Sequence, residues 1–383
     1  MYAEDESILE DLALSRNLAE RTERLYRDII EKYTRFFKTP LTVLLKEAET
    51  EEDQKISWKK RKLRKRLLEF RQYLYNNYML STAKMNFSKI LTIYRHYEIE
   101  LYKLPPISGK QGEETHIQFK DLPDKEIIRE ALKLARPIHK AIILFMSSSG
   151  CATAETLSLR VKDLLKSVEE YYPNPENVYD MIHKLQGRDD IVPIFQLKRK
   201  KTGKIYYTFC TPEAFQEICT YLIQRKGLRD SDRLFKITQL HLMQLFREVN
   251  NLLGLGTVGS NNYVRFRSHM LRKFHASTLY NDGMILDDVN DLQGKTKNKT
   301  DSSYFMEDPD KLKQKYIQHM GSLTINVEVT SLDIKSKEYV LLERELESKN
   351  KEYDDLKNRI SWIEQAINSN ISSDDLDLIN KYI

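Results

Sequence analysis

Cysteine is scarce. Cys151, Cys210 and Cys219 are the only three in 383 residues, and no two are spaced as C-x-x-C. An odd set of this kind argues against a disulfide framework or a cysteine-based zinc site, and it fits a reducing cytoplasm. Chain breakers are scarce too, at 12 Gly and 10 Pro, so a mostly helical chain is expected. No apolar run approaches the ~20 residues that a membrane-spanning helix needs. The N-terminus opens acidic and polar, unlike a secretory signal peptide. Net charge is small as well: 62 Lys plus Arg face 57 Asp plus Glu, a balance of +5. So mild an excess does not by itself identify a nucleic-acid partner, and the distribution of charge must carry that argument.

The length predicts two or three domains with room for a sizeable core. Hydrophobic residues make up 40% and charged residues 31%, the balance of a globular chain with a charged surface. In residues 1–103, Leu25, Tyr26, Ile29, Ile30, Tyr33, Phe36 and Phe37 recur at helical spacing behind Thr22, read as an N-cap. A second helix carries Ile90, Leu91, Tyr94 and Tyr97. Between them, seven of eight residues are basic: Lys59, Lys60, Arg61, Lys62, Arg64, Lys65 and Arg66. Like charges this dense repel unless a polyanion neutralises them, which points to DNA phosphate; a merely solvated helix face is the alternative. Leu104-Pro105-Pro106 opens a linker over 104–118.

Residues 119–325 mix helical pattern (125–146 and 212–226) with two β-prone runs, Ile191–Leu197 and Ile205–Phe209. Lys200-Lys201-Thr202-Gly203-Lys204 joins them as a hairpin with a basic tip. In residues 326–383, Leu342, Leu346, Lys349, Tyr353, Leu356, Ile360, Ile363 and Ile367 alternate in steps of four and three. That is a heptad seam, either a coiled coil between protomers or one amphipathic helix folded back on the chain.

The segment Phe266-Arg267-Ser268-His269-Met270-Leu271-Arg272 is followed by Leu292-Gln293-Gly294-Lys295 and by Thr300-Asp301-Ser302-Ser303-Tyr304. Here the chain resembles the tyrosine recombinase (phage integrase) family, whose catalytic domain carries an H-x-x-R box, a His/Trp box and a Tyr nine residues on. The central block looks most like integrases of archaea and their viruses. His269 and Arg272 match the first box. Lys295 stands in the His/Trp slot, nine residues before Tyr304. The family's catalytic hairpin lysine falls on Lys201, with Lys198, Lys200 and Lys204 as rivals.

The resemblance covers about 119–310 directly. It implies a mainly α fold with a small β-hairpin: a helical core-binding domain, then the catalytic domain, then a C-terminal helical, coiled-coil-like extension. It implies a clamp around duplex DNA and cleavage by attack of Tyr304, giving a 3′-phosphotyrosine. The bond energy is stored, so resealing needs no cofactor, neither ATP nor metal. Arg272 would meet charge on the non-bridging oxygens. His269 would bind phosphate or take the tyrosine proton, and Lys201 would protonate the leaving 5′ oxygen. Exchange between two sites implies four protomers, acting on DNA in the cytoplasm of a prokaryotic or virus-infected cell.

Two departures stand out. Where the family has T-G-L-R-x-x-E, this chain reads Ser149-Gly150-Cys151-Ala152-Thr153-Ala154-Glu155, so Ala152 fills the slot of the first catalytic arginine. Arg267, beside His269, is the expected substitute; a structural salt bridge is its other reading. Lys295 in the His/Trp slot is expected either to donate to the scissile phosphate or only to contact DNA backbone.

Overall fold

The computed structural model describes residues 2–106, 117–259, 262–296 and 308–326, together with Lys349, Tyr353, Leu356 and Lys357. The chain divides into two compact units: Met1–Ile117 with Val258–Tyr263, and Gln118–Thr257 with Val264–Ile383. The architecture is mainly α, with small two-stranded antiparallel hairpins.

Among its described residues, the first unit has five α-helices: α1 (Glu6–Ser15), α2 (Glu20–Phe37), α3 (Leu41–Asp53), α4 (Lys62–Asn77) and α5 (Leu80–His96). Its core joins Leu9, Ile30, Tyr33, Phe70, Ile90 and Tyr94, all buried. The Tyr33 and Tyr94 hydroxyls meet at 2.9 Å inside it, so neither buried phenol is left without a partner. Helix α2 begins at Glu20 behind Ala19, not at Thr22. The Ala19 carbonyl already accepts the Thr22 and Glu23 N–H groups, and Glu20 and Glu23 place acidic charge in the first turn, where the helix dipole favours it.

The second unit is organised around α7 (Pro137–Ser149), whose residues from Ala141 to Ser149 are all buried. A helix apolar on every side belongs in the middle of a core, and α11 (Pro212–Ile223) and α13 (Ser268–Asn281) pack on it. The helical pattern of 125–146 is two helices, because Pro137 cannot continue the first and instead opens the second: α6 (Lys125–Leu134) ends before it. After α7 come α8 (Thr153–Thr156), α9 (Val161–Ser167) and α10 (Val178–Leu185). Then β1 (Ile194–Lys198) pairs antiparallel with β2 (Ile205–Phe209), Ile194 facing Phe209 and Lys198 facing Ile205. The first strand starts three residues later than the apolar run of 191–197, just after Pro193, which has no N–H to give a ladder. Further helices among the described residues are α12 (Gln239–Leu252), α14 (Leu286–Leu292) and α15 (Pro309–His319).

Cys151, Cys210 and Cys219 are buried free thiols. No helix among the described residues is long and apolar enough to cross a membrane. Of the heptad positions, Lys349, Tyr353 and Leu356 are helical and exposed; Leu342, Leu346, Ile360, Ile363 and Ile367 lie outside the described residues.

Candidate active site

Two helix ends and one hairpin build the site. Helix α7 stops at Gly150, which takes the left-handed conformation (φ +64°) and donates its N–H to the Met146 carbonyl at 3.1 Å. Glycine is required here twice over. The backbone angle disfavours any side chain, and a Cβ would stand 2.5 Å from Nδ1 of His275.

Helix α14 stops in a Schellman motif: Gly294 N–H donates to the Asp291 carbonyl at 2.8 Å, and Lys295 N–H to the Asn290 carbonyl at 2.9 Å. Gly294 is also left-handed (φ +61°), and a Cβ on it would meet the Tyr206 ring at 2.6 Å. The Leu-Gln-Gly-Lys box is thus a helix cap that sets the direction in which the chain leaves with Lys295. It also leaves the Gln293 carbonyl as one of the unpaired acceptors at the negative end of the helix.

Arg272, on α13, bridges these two ends. Its guanidinium donates to the Gly150 carbonyl and, at 2.7 Å, to the Gln293 carbonyl. The Gln293 side-chain amide returns a bond to the Arg272 carbonyl at 2.9 Å and contacts His275 Nδ1 at 3.3 Å. Arg272 is only 7% exposed. Burial lowers its pKa, and so does the neighbouring charge of Arg199. Buried Glu155 acts in the opposite sense on it, while its carboxylate accepts the Ala152 N–H at 2.9 Å.

The hairpin closes the third side. Arg199 N–H donates to the Lys204 carbonyl at 2.7 Å, which makes these two residues the neck of the loop that carries Lys201. The neck is bound to the end of α14. Arg199 Nη1 donates to the Gln293 carbonyl at 2.6 Å; Lys204 Nζ reaches Asp291 at 3.1 Å and the Lys295 carbonyl at 3.0 Å. Lys201 is exposed at the tip. Lys295 is exposed, with its Nζ on Asn290 Oδ1 at 2.9 Å. Its pKa is lowered by partial desolvation, then by Arg272 and Arg199. Three cations therefore gather around a single helix cap, with Arg199 acting on both Arg272 and Lys295.

His269, one turn before Arg272, has solvent-accessible surface, yet enough protein surrounds it for desolvation to lower its pKa; the charges of Arg267, Lys273 and Arg272 add to this. Arg267 is the N-cap residue of α13, and its charge acts on His269 and Lys273. Ser268 and Thr153 hydroxyls, 2.9 Å apart, tie the start of α13 to α8. Ala152, half-buried at the front of α8, brings no charge to the site. Tyr304 lies outside the described residues.

Sequence reasoning missed Arg199, which it absorbed into a run of undifferentiated basic residues. A signal was present. Strand alternation buries Phe195 and Leu197 and exposes Gln196 and Lys198, so period two turns Arg199 inward while its neighbours face water.

In the first unit, the basic run is divided. Buried Arg61 donates to the Ile56 carbonyl at 2.9 Å and lies 3.5 Å from Glu52. Lys62 and Arg66 share Glu47, and Lys65 lies 3.8 Å from Glu69. Lys59, Lys60 and Arg64 have no ion pair among the described residues, and the two lysines are exposed. The repulsion within the run is thus relieved in part by the unit's own carboxylates.

No protein-family model matches the chain, and no curated protein matches it. Among solved structures, the chain is similar to site-specific recombinases and integrases. One is a XerH site-specific recombinase bound to its difH substrate in a pre-cleavage complex, at 19% identity and a TM-score of 0.47, over 80% of this chain and 82% of that one. Another is a lambda integrase dimer bound to a COC′ core site, at 13% identity and a TM-score of 0.49, over 78% and 76%. A third is the Tn1549 transposon integrase in complex with transposon right-end DNA, at 13% identity and a TM-score of 0.45, over 81% and 97%.

Proposed function

We propose that this chain is a site-specific recombinase that cleaves and rejoins duplex DNA through a 3′-phosphotyrosine, with Tyr304 as nucleophile. The observation that carries the reading is the buried guanidinium of Arg272, held by two helix-terminal carbonyls, with Arg199 on one of the same carbonyls and Lys295 in electrostatic reach. The charge of Arg199 lowers the proton affinity of Arg272 and Lys295, and a phosphate between these cations would relieve that repulsion. Because their donors are already oriented, they meet the charge of a phosphoryl-transfer transition state without reorganising.

The Tyr304 oxygen attacks phosphorus, the bond from phosphorus to the 5′ oxygen breaks, and that oxygen takes a proton from Lys201. His269, depressed toward its neutral form, accepts the tyrosine proton. The reverse attack by a 5′ hydroxyl reseals the strand. Lys59, Lys60, Arg64 and Lys65 contact DNA phosphates, which position the protein without reading sequence. Four protomers on two paired sites exchange all strands, and residues 339–367 join them.

Ala152 in the first-arginine slot favours a second reading, a DNA-binding relative that does not cleave. One experiment separates the two. Short duplexes with a single nick in random flanking sequence are incubated with the protein, and covalent adducts are recovered on a denaturing gel. The recombinase reading expects protease-sensitive adducts that are absent for Tyr304→Phe. Retained duplex binding with no adduct establishes the second reading, and adducts from the Phe variant remove Tyr304 from its role.

A further inference from the structure

We infer that Arg199, on the hairpin neck, replaces the first catalytic arginine and binds a non-bridging oxygen of the scissile phosphate together with Arg272. The inference rests on the recombinase reading above and assigns its second guanidinium.

The geometry singles out Arg199 as the arginine that shares an acceptor with Arg272. Its Nη1 and the Nη2 of Arg272 both lie within 2.7 Å of the Gln293 carbonyl oxygen. Two guanidinium groups sharing one acceptor sit side by side, the spacing at which both reach the oxygens of one tetrahedral phosphate. A guanidinium has five N–H donors. Arg199 commits one of them among the described residues, and Arg272 commits two. The rest remain for a ligand. Arg199 is also only half-buried, so a ligand can reach it, and the more buried Arg272 keeps some exposed surface beside it.

The rivals make neither the Gln293 contact nor any other hydrogen bond to the Arg272 cluster among the described residues. Arg160 caps α9 and donates to the Ser231 carbonyl. Arg267, the substitute expected from sequence, exerts its charge on His269 and Lys273, while Arg199 exerts its own on Arg272 and Lys295.

The attachment of Arg199 also explains why a hairpin residue serves for a helix residue. A flexible loop arginine would lose too much on ordering to count as preorganised. Here the hairpin neck is fastened at both sides to the end of α14, by Arg199 on Gln293 and by Lys204 on Asp291 and the Lys295 carbonyl. The same clasp holds Lys201 at the tip of the same loop. Leaving-group proton donor and phosphate clamp would then move as one piece.

The test uses the full chain and a duplex recovered from the random nicked library by wild-type adduct formation. That duplex is made in two forms, with an ordinary scissile phosphate and with a neutral methylphosphonate in its place. On the phosphate, Arg199→Gln is expected to slow adduct formation by about 10²–10³-fold, the typical effect of removing one preorganised donor, with duplex binding changed only a few-fold. On the methylphosphonate, which lacks the charge that Arg199 would meet, the penalty is expected to shrink to a few-fold. Arg199→Lys keeps the charge and one donor to the Gln293 carbonyl; if the Gln variant melts early, the same pair of substrates is compared with it. An Arg199→Gln rate equal to wild type on phosphate overturns the inference and leaves the recombinase reading standing. So does an equal penalty on both substrates, the mark of a residue that only holds the hairpin in place. No adduct from the wild type on any library member brings down the recombinase reading itself, and this inference with it.

Discussion

Replacing Gly150 with alanine tests the central packing of the site without assuming any activity. The perturbation has two parts. The backbone at φ +64° is left-handed, which costs an L-residue about 1–2 kcal/mol. The new methyl would also stand 2.5 Å from His275 Nδ1 and 2.9 Å from its Cγ and Cε1. That ring cannot swing aside, because His275 is fully buried and Gln293 lies against its Nδ1 at 3.3 Å. Overpacking of this kind costs a further ~1–3 kcal/mol.

Gly187 supplies the control. It too has positive φ (+87°), but a Cβ there meets nothing within 4 Å, so Gly187→Ala bears the backbone cost alone. At about 2–4 °C per kcal/mol for a unit of this size, Gly187→Ala should lower the melting temperature by roughly 2–8 °C. Gly150→Ala should lower it by roughly 4–20 °C. The assay is thermal unfolding followed by circular dichroism. The Gly150 carbonyl is a ligand of the Arg272 guanidinium, so covalent adduct formation should fall more than duplex binding does. Equal melting temperatures for the two alanine variants would refute the reasoning, since they would mean that the His275 ring yields without cost.

Neutralising Lys59, Lys60 and Arg64 together should weaken binding to all duplexes alike, and should flatten the plot of log affinity against log salt by about 0.9 per lost phosphate contact. Changing the internally bonded Arg61 should instead lower the melting temperature and leave the slope alone. His269 is depressed below 6.5 by desolvation and then by the charge of Arg267. Removing that charge in Arg267→Gln favours the protonated ring, so the acid limb of the pH–rate profile should move to higher pH; an unmoved limb would detach His269 from the proton transfer. Burial, with Arg272 and Lys295, holds His275 down at about 3. The unfolded chain therefore binds the proton first as pH falls, and stability is lost between pH 6.5 and 3, by up to about 1.4 kcal/mol per unit. His275→Asn should be less acid-sensitive than wild type over pH 6–4 in the same melting assay; an identical slope would mean that the ring is not buried neutral.

Parts of the candidate site were legible because their residues are close in sequence. The H-x-x-R pair sits one helical turn apart on α13, and the Leu-Gln-Gly-Lys box is a helix stop whose glycine follows from backbone sterics alone. The mainly α composition and the strand from Ile205 to Phe209 were equally readable, since each depends on local period and on turn residues. What stayed hidden depends on distance. Nothing near Arg199 in the chain says that it meets Arg272, because among the described residues the two are joined through the carbonyl of Gln293, and a backbone acceptor leaves no trace in residue identity. The four cations of the Lys59–Arg66 run that find carboxylates do so through Glu47, Glu52 and Glu69, and only the packing of α3 on α4 brings two of these into reach. Local sterics and periodicity determine most elements from sequence alone, and their ends where a glycine or proline marks them. Which buried charge faces which helix terminus is decided by tertiary packing, because the cost of desolvating an ion depends on everything folded around it.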